Sequence, residues 1–336
     1  MNLTIIGAGA WGTALGWVLH QNGHKITVWG HDAGRLLAMR QHARNEPYLP
    51  GIPLPADWRY ETELPSAVAR ADALVLAVPS KSFRHVAEKL SGYRGVIVSV
   101  TKGIEHETGL TMTGILAETV PGACSAALSG PSLAAEVAAG IPTAVVAAHS
   151  DTAMVAAVQE WFHRPTFRVY TSRDPRGVEL GGALKNVIAI SAGVCDGLGF
   201  GDNSKAALIT RAIVEITRIG AACHADPATF SGLSGLGDLV VTCFSKLSRN
   251  RAFGERLGRG EKIDAVLATT RTVVEGYPTA RSARQLARRA GVETPIIDQV
   301  YQMLYEGKDI ARAIHDLMAR DTKPERPAAL PDSPHS

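Results

Sequence analysis

A glycine-rich turn near the start of the chain, residues 7–12 (GAGAWG), follows a short apolar run and precedes a segment with helical apolar spacing. Between a strand and a helix, each glycine has a physical role. Gly7 permits the tight turn, Gly9 lets the backbone approach a pyrophosphate, and Gly12 lets the helix pack closely on the strand. The free N–H groups at the helix N-terminus then face the phosphates. This context favours a dinucleotide site over a glycine turn that binds nothing.

Length and composition limit the remaining possibilities. A chain of 336 residues is too long for one ordinary core and predicts about two domains, and its 46% hydrophobic residues can fill both. The net charge is +3, with no block of like charges, so we expect no nucleic acid or membrane surface as partner. No apolar run reaches the roughly 20 residues of a membrane span, and no basic segment precedes the first strand. We therefore expect a cytoplasmic protein without a membrane span.

The cysteines predict neither disulfides nor a metal site. The four of them form no CxxC pair, and a chain of this size needs no covalent staples. We expect reduced thiols and no bound metal, because no His, Cys or carboxylate cluster has metal-ligand spacing.

The first half of the sequence alternates apolar strand-like runs with helical segments, which predicts an α/β domain with a Rossmann-type parallel sheet. Ligands bind outside the carboxyl ends of the strands in such sheets. Lys102 lies just past one predicted strand end, on a short loop flanked by glycine. It is a candidate cation beside the cofactor, although a solvated loop lysine is equally ordinary at such a place.

The tip of the second strand, residues 25–29, bears on the choice of cofactor. An NAD site usually has an acidic residue there to accept from the ribose 2′-OH. This chain has His31 and Asp32, with Arg35 one turn further on. His31 and Arg35 suit a 2′-phosphate and favour NADPH, while Asp32 leaves NADH open. The alternative for His31 is a solvated loop histidine.

Residues 45–60 contain four prolines and predict an irregular surface excursion. After a linker at residues 171–175 the strand signal ends and six amphipathic or apolar helices are predicted. We therefore expect a dinucleotide-binding domain over residues 1–172, an all-α domain over residues 173–320 and a disordered tail over residues 321–336.

Two segments of the helical half are chemically unusual. Lys185 lies inside an apolar, glycine-rich helix, where an unpaired ammonium is costly, so it needs a partner or a purpose. Asp238 is a candidate partner, and Arg249 at a helix start is a candidate for holding a phosphate. The structural alternatives are a buried Lys–Asp ion pair and an N-cap serine, Ser248, followed by a surface arginine.

Several blocks taken together resemble the bacterial NAD(P)-dependent sn-glycerol-3-phosphate dehydrogenase family. They run in family order from residue 1 to about residue 319, and their combination is specific although no single block is. The blocks are GAGAWGTAL at 7–15, SGPS at 129–132, GGALKN at 181–186, GLGFGDNSKAAL at 197–208, GLGDL at 235–239 and SRN at 248–250.

The resemblance implies roles for individual residues. Lys185 is the general acid/base, and Lys102 contacts both substrate and cofactor. Ala10 departs from the serine common at its position and removes a hydroxyl contact to the pyrophosphate. The implied substrate residues are Lys102, Gly130, Ser132, Lys185, Asp238, Ser248, Arg249 and Asn250. The implied cofactor residues are Gly7, Gly9, Trp11, Gly12, His31, Tyr48, Lys102, Ala134, Arg249, Val273 and Glu275.

The implied reaction is reduction of dihydroxyacetone phosphate to sn-glycerol 3-phosphate with NADPH or NADH, NADPH being favoured, in supply of phospholipid synthesis. A homodimer is compatible with the sequence, which does not specify the oligomeric state. Two other readings stay open: a dehydrogenase of the same architecture that acts on a hydroxy acid, and a non-catalytic protein that senses NADPH. The first has no need of a phosphate site, and the second has no reason to bury Lys185.

Overall fold

The computed structural model describes residues 1–270, 273–322 and 324–325. Its first half contains an eight-stranded sheet with helices on both faces, in the strand order β10-β9-β8-β7-β6-β1-β2-β5. This half has ten strands, of which β3 and β4 form a separate pair: β1 Asn2–Ile6, β2 Lys25–Trp29, β3 Arg44–Asn45, β4 Leu49–Pro53, β5 Arg59–Glu61, β6 Ala73–Leu76, β7 Val96–Ser99, β8 Cys124–Ser129, β9 Thr143–Ala148 and β10 Phe167–Ser172. The α/β prediction is confirmed.

Seven helices connect these strands. They are α1 Ala10–Gln21, α2 Ala33–His42, α3 Leu64–Val68, α4 Ser80–Glu88, α5 Met112–Thr119, α6 Ala134–Ala138 and α7 Thr152–Phe162. The central strands β1, β6 and β7 are buried on both faces between two apolar clusters. Their carboxyl ends, at the reversal of strand order between β1 and β6, leave a crevice at one edge of the sheet.

The prediction of a parallel sheet is wrong at β9 and β10. Strand β9 pairs antiparallel with β8, and β10 runs parallel to β9. A parallel crossover needs a connection that returns along the length of the strand. Helix α6 has five residues and rises about 7.5 Å, against about 20 Å for a six-residue strand, so the chain turns back instead.

The prediction of irregular structure over residues 45–60 is also wrong. Strands β3 and β4 form a short antiparallel hairpin, and β5 extends the main sheet beside β2. Prolines are compatible with this arrangement because a two-stranded ladder with few paired residues requires few N–H donors. Gly51, with φ of +77°, takes the left-handed conformation within β4.

The described residues after β10 contain no strand, as the sequence predicts. The helices are α8 Pro175–Gly197, α9 Asp202–Ala222, α10 Asp238–Phe244, α11 Arg249–Gly258, α12 Ile263–Thr269, α13 Gly276–Arg289, α14 Pro295–Tyr305 and α15 Ile310–Met318. A 3₁₀ turn at Pro227–Ser231 and a π-helical turn at Leu233–Gly237 precede α10.

Helix α8 forms the centre of the helical half. Its apolar side chains pack against residues of α9, α11 and α13 in one continuous core. It is also the one described helix long and apolar enough to cross a membrane, but 89% of its most apolar window is buried inside the protein. Strand β10 ends at Ser172, three residues before α8. Residues 323 and 326–336 of the predicted tail lie outside the described residues.

Candidate active site

A cleft of about 510 Å³ lies between the carboxyl edge of the sheet and the helical half. One wall carries the glycine-rich turn and the tips of β2, β6 and β7. The other wall carries Lys185 from α8 and the start of α11. A ligand in this cleft therefore contacts both halves of the chain.

The glycine-rich turn has the geometry of a dinucleotide cradle. Gly7 has φ of +123°, and a Cβ added there would meet the Ala77 carbonyl oxygen at 2.7 Å. A Cβ on Gly12 would lie 2.2 Å from the Gly7 carbonyl oxygen, whereas one on Gly9 would meet nothing within 4 Å. Helix α1 has no side-chain cap, so its first N–H groups face the cleft without a capping acceptor. These features fit a pyrophosphate.

The end of the cleft at the tip of β2, where we expect the adenosine, is lined by His31, Asp32, Arg35 and Tyr48. The Arg35 guanidinium lies over the Tyr48 ring, 4.5 Å from its centroid, and 3.2 Å from the Asp32 carboxylate. Asp32 also caps α2 by accepting from the Arg35 backbone N–H at 2.9 Å. Asp32, the acidic residue that could accept from the ribose hydroxyl of NADH, is thus already paired with the N-terminus of α2 and with the Arg35 guanidinium. A second cavity of about 240 Å³ continues behind Arg35.

The central feature of the cleft is an aspartate between two lysines. The Lys185 Nζ donates to Asp238 Oδ1 at 2.5 Å and to Thr242 Oγ1 at 2.5 Å. The Lys102 Nζ donates to Asp238 Oδ2 at 2.6 Å and to the Gly130 carbonyl oxygen at 3.0 Å. Asp238 is 1% exposed, so it lies beneath both ammonium groups and neutralises one of their two charges.

Burial lowers the pKa of Lys185 from its ordinary value to about 8. The nearby Lys102 lowers this pKa further, while the Asp238 carboxylate opposes both effects. An ammonium with a pKa near neutrality can give a proton to a developing alkoxide and take it back in the reverse direction. The ion pair between Lys185 and Asp238 predicted from sequence is confirmed. The second ion pair of Asp238, with Lys102, was not predicted.

Local sequence explains why Lys185 reaches this position. A Cβ on Gly182 would lie 2.4 Å from Ser129 Oγ, so the absence of a side chain there helps α8 lie close to the end of β8 and the Lys102 stem. Asp238 and Thr242 are four residues apart at the start of α10 and therefore share one helical face. The two halves of the chain meet closely enough for both lysines to reach one carboxylate.

The N-terminus of α11 forms part of the cleft wall through Ser248, Arg249 and Asn250. Ser248 is its N-cap and accepts from the Arg251 N–H. Asn250 Nδ2 donates to Asn186 Oδ1 at 2.9 Å, and its own Oδ1 accepts from the Gly276 N–H at 2.9 Å. The Arg249 side chain lines the cleft near the Glu275 carboxylate, and among the described residues it forms no hydrogen bond or ion pair. A helix N-terminus with a free guanidinium fits a phosphate.

Glu275 connects the two walls of the cleft. Its carboxylate accepts from the Ser80 N–H at 3.2 Å and from Ser80 Oγ at 2.5 Å, at the start of α4. Burial raises the pKa of Glu275, and the two bonds from Ser80 act in the opposite direction. Val273 lies beside it in the cleft wall.

The structure brings most of the predicted site residues to this one cleft. Three do not line it directly: Gly12 is buried behind the turn, Asp238 lies under the lysines, and Gly130 contributes through its carbonyl oxygen. The predicted residues that line the cleft are Gly7, Gly9, Trp11, His31, Tyr48, Lys102, Ser132, Ala134, Lys185, Ser248, Arg249, Asn250, Val273 and Glu275.

Sequence reasoning assigned no role to Thr242 or Leu247, which also line the cleft. Thr242 could have been found from sequence, because it lies four residues after Asp238 and therefore on the same face of a helix. No sequence feature indicated a role for Leu247, because it is an ordinary apolar residue in a turn. Among the described residues no group of three or more His, Cys, Asp or Glu side chains could hold a metal ion, and the four cysteines are free.

Comparison with known proteins assigns the chain to a family. The N-terminal profile of NAD-dependent glycerol-3-phosphate dehydrogenase matches residues 2–155, and the C-terminal profile matches residues 174–315. The chain belongs to the NAD-dependent glycerol-3-phosphate dehydrogenase family. The expected resemblance is confirmed.

Individual members of this family resemble the chain over nearly its whole length. The glycerol-3-phosphate dehydrogenase [NAD(P)+] of Syntrophotalea carbinolica is 48% identical over 97% of this chain and 99% of its own length. That of Geobacter sulfurreducens is 48% identical over 96% and 98%. The crystal structure of the Coxiella burnetii glycerol-3-phosphate dehydrogenase, 35% identical, superposes with a TM-score of 0.92 and covers 95% of this chain and 99% of that one.

Proposed function

We propose that the cleft carries out the reaction of this family, reversible hydride transfer between NADPH or NADH and dihydroxyacetone phosphate, with Lys185 as the proton donor. The observation that carries the proposal is the buried Lys185 ammonium at the cleft wall, held by Asp238 and Thr242 and poised with a pKa of about 8. A binding protein without catalysis has no use for such a group.

The nicotinamide cofactor supplies the hydride when it is bound. The glycine-rich turn and the start of α1 hold its pyrophosphate, and Tyr48 with Arg35 forms the adenosine end. Lys102 supplies a second cation beside the substrate oxygen, and the Asp238 carboxylate keeps both ammonium groups aimed at the cleft. Lys185 then protonates the alkoxide oxygen that forms when the ketone is reduced.

The phosphate of the substrate is assigned to the N-terminus of α11 and to Arg249. Asn250 and Asn186 hold each other by a hydrogen bond and fix the helix start against α8. Ser132 and the Gly130 carbonyl form the opposite side, where Ser132 Oγ donates to Gly130 at 2.9 Å. The substrate phosphate thus meets Arg249 and the α11 N-terminus, and the reacting oxygen meets the two lysine ammonium groups. The product, sn-glycerol 3-phosphate, is an alcohol that acyl transfer for phospholipid synthesis can consume.

We further propose preference for NADPH, a cytoplasmic location and a homodimer. The preference rests on His31 and Arg35 at the tip of β2. The dimer is supported by three exposed apolar residues at four-residue spacing, Leu236, Val240 and Phe244, which are 39%, 39% and 45% exposed. Measurement of the solution mass of wild type and of Phe244→Glu checks the dimer: a monomeric wild type refutes it.

The experiment that tests the reaction is the oxidation of NADPH, followed by absorbance, with dihydroxyacetone phosphate as substrate. We expect turnover with NADPH and slower turnover with NADH. A keto acid of similar size serves as the matched control, because it lacks the phosphate read by Arg249. Turnover of the keto acid alone would assign the cleft to a hydroxy-acid dehydrogenase.

A further inference from the structure

Asn45 is a fully buried polar residue for which neither the sequence nor the mechanism above provides a use. It lies in β3, is 0% exposed, and belongs to the segment expected to be irregular. Its side-chain Nδ2 donates to the Ala8 carbonyl oxygen at 3.1 Å and to Thr13 Oγ1 at 2.8 Å. Both acceptors belong to the glycine-rich turn and the helix that follows it.

The bond to Ala8 fixes the orientation of the peptide between Ala8 and Gly9. This peptide is trans, so its C=O and N–H point in opposite directions. Because the Ala8 carbonyl faces Asn45, the Gly9 N–H faces the other way. Space is open beside Gly9, and within the described residues its N–H donates to no protein acceptor.

We propose that Asn45 is a positioning residue for the pyrophosphate of the dinucleotide, because its amide holds the Ala8–Gly9 peptide with the Gly9 N–H aimed into the cleft. The inference rests on the proposed binding of a dinucleotide. A peptide held in advance does not have to be oriented when the ligand binds, which favours affinity.

Asn45 has a second contact that a substitution leaves in place. Its backbone oxygen accepts from the Tyr48 N–H at 3.1 Å, which orders the hairpin at the adenosine end. Side chain and backbone thus serve different ends of the cofactor. A change of the side chain alone separates the pyrophosphate role from the adenosine role.

The test replaces Asn45 by Asp, which has the same shape but places a carboxylate oxygen against the Ala8 carbonyl, and by Ala, which deletes the amide. Asn22→Asp is the matched control. Asn22 Nδ2 also donates to distant backbone carbonyls, those of Trp161 and His163, but it lies outside the cleft. Thermal unfolding of each variant establishes that it is folded.

Fluorescence titration should show NADPH and NADH bound about ten- to one-hundredfold more weakly by both Asn45 variants, the range expected when a buried hydrogen-bonding group loses its partner. The ratio of the two dissociation constants should stay within about twofold of wild type, since the pyrophosphate is common to both. The kcat at saturating cofactor and the inhibition by adenosine, which has no phosphate, should stay close to wild type. Asn22→Asp should bind like wild type.

Equal NADPH binding by wild type and both Asn45 variants overturns the inference. So does an equal loss for adenosine, which would place the effect at Tyr48, and so does failure of both variants to fold, which would make Asn45 a scaffold residue. Failure of wild type itself to bind NADPH overturns the proposed function instead, so the two failures are distinguishable.

Discussion

Lys185→Met is the substitution that tests the proposed chemistry most directly. Methionine keeps the apolar stem of the side chain within α8 and removes the ammonium that lies 2.5 Å from Asp238 Oδ1. A positioned general acid contributes about 10²–10⁴-fold, which corresponds to roughly 3–5 kcal/mol of barrier at about 1.4 kcal/mol per tenfold. We expect kcat to fall by that factor.

The variant should remain folded. Removing one partner of a buried ion pair is costly when the other charge is left alone, but Asp238 keeps Lys102 at 2.6 Å. The Asp238 carboxylate is therefore not left without a cation. Since the proposal assigns the dinucleotide mainly to the glycine-rich turn, binding of NADPH should persist at close to wild-type affinity.

The two directions of the reaction should depend on pH in opposite ways. Lys185 is protonated below its pKa of about 8, so wild-type reduction of the ketone should be fully active at lower pH and decline as the pH rises through that value. Oxidation of the alcohol needs the neutral amine and should rise through the same range. The Lys185→Met profile should lack this titration in both directions.

Lys102→Met is the control, since it deletes the other ammonium on the same carboxylate. It should weaken substrate binding and rate together and keep the titration. The measurement is the pH–rate profile of kcat for wild type and both variants, with NADPH titration by fluorescence. If Lys185→Met retained a rate within a fewfold of wild type, or if Lys102→Met alone abolished the titration, Lys185 would be only an ion-pair partner of Asp238.

Two further substitutions test the ends of the cleft. Arg249→Ala should cost about 2–4 kcal/mol of transition-state stabilisation with dihydroxyacetone phosphate and almost nothing with unphosphorylated dihydroxyacetone, measured as kcat/KM; equal losses would show that Arg249 does not read the phosphate. His31→Ala combined with Arg35→Ala should raise the KM for NADPH much more than that for NADH, because only NADPH carries the 2′-phosphate; a KM ratio unchanged from wild type would refute this assignment.

Local patterns in the sequence were sufficient for the class of fold and for the strand, turn and helix that we assign to the cofactor. The glycine-rich turn is a short-range motif whose strand, turn and helix are contiguous, so its geometry follows from residues 1–19 alone. The helices of the second half follow from apolar periodicity in the same way. Lys185 could also be identified as a candidate functional residue from sequence, because burying an ammonium in an apolar helix is costly wherever that helix packs.

Only the tertiary structure decided what depends on distant segments. The reversal at β9 results from the short return through α6, and the hairpin of β3 and β4 brings the Asn45 side chain to a turn 37 residues away. The sequence offered Asp238 as a partner for Lys185, 53 residues away, but Lys102 reaches the same carboxylate across 136 residues, and no local pattern encodes that approach. A carboxylate shared by two lysines requires α8 to lie against the end of β8, which Gly182 permits and which only packing brings about.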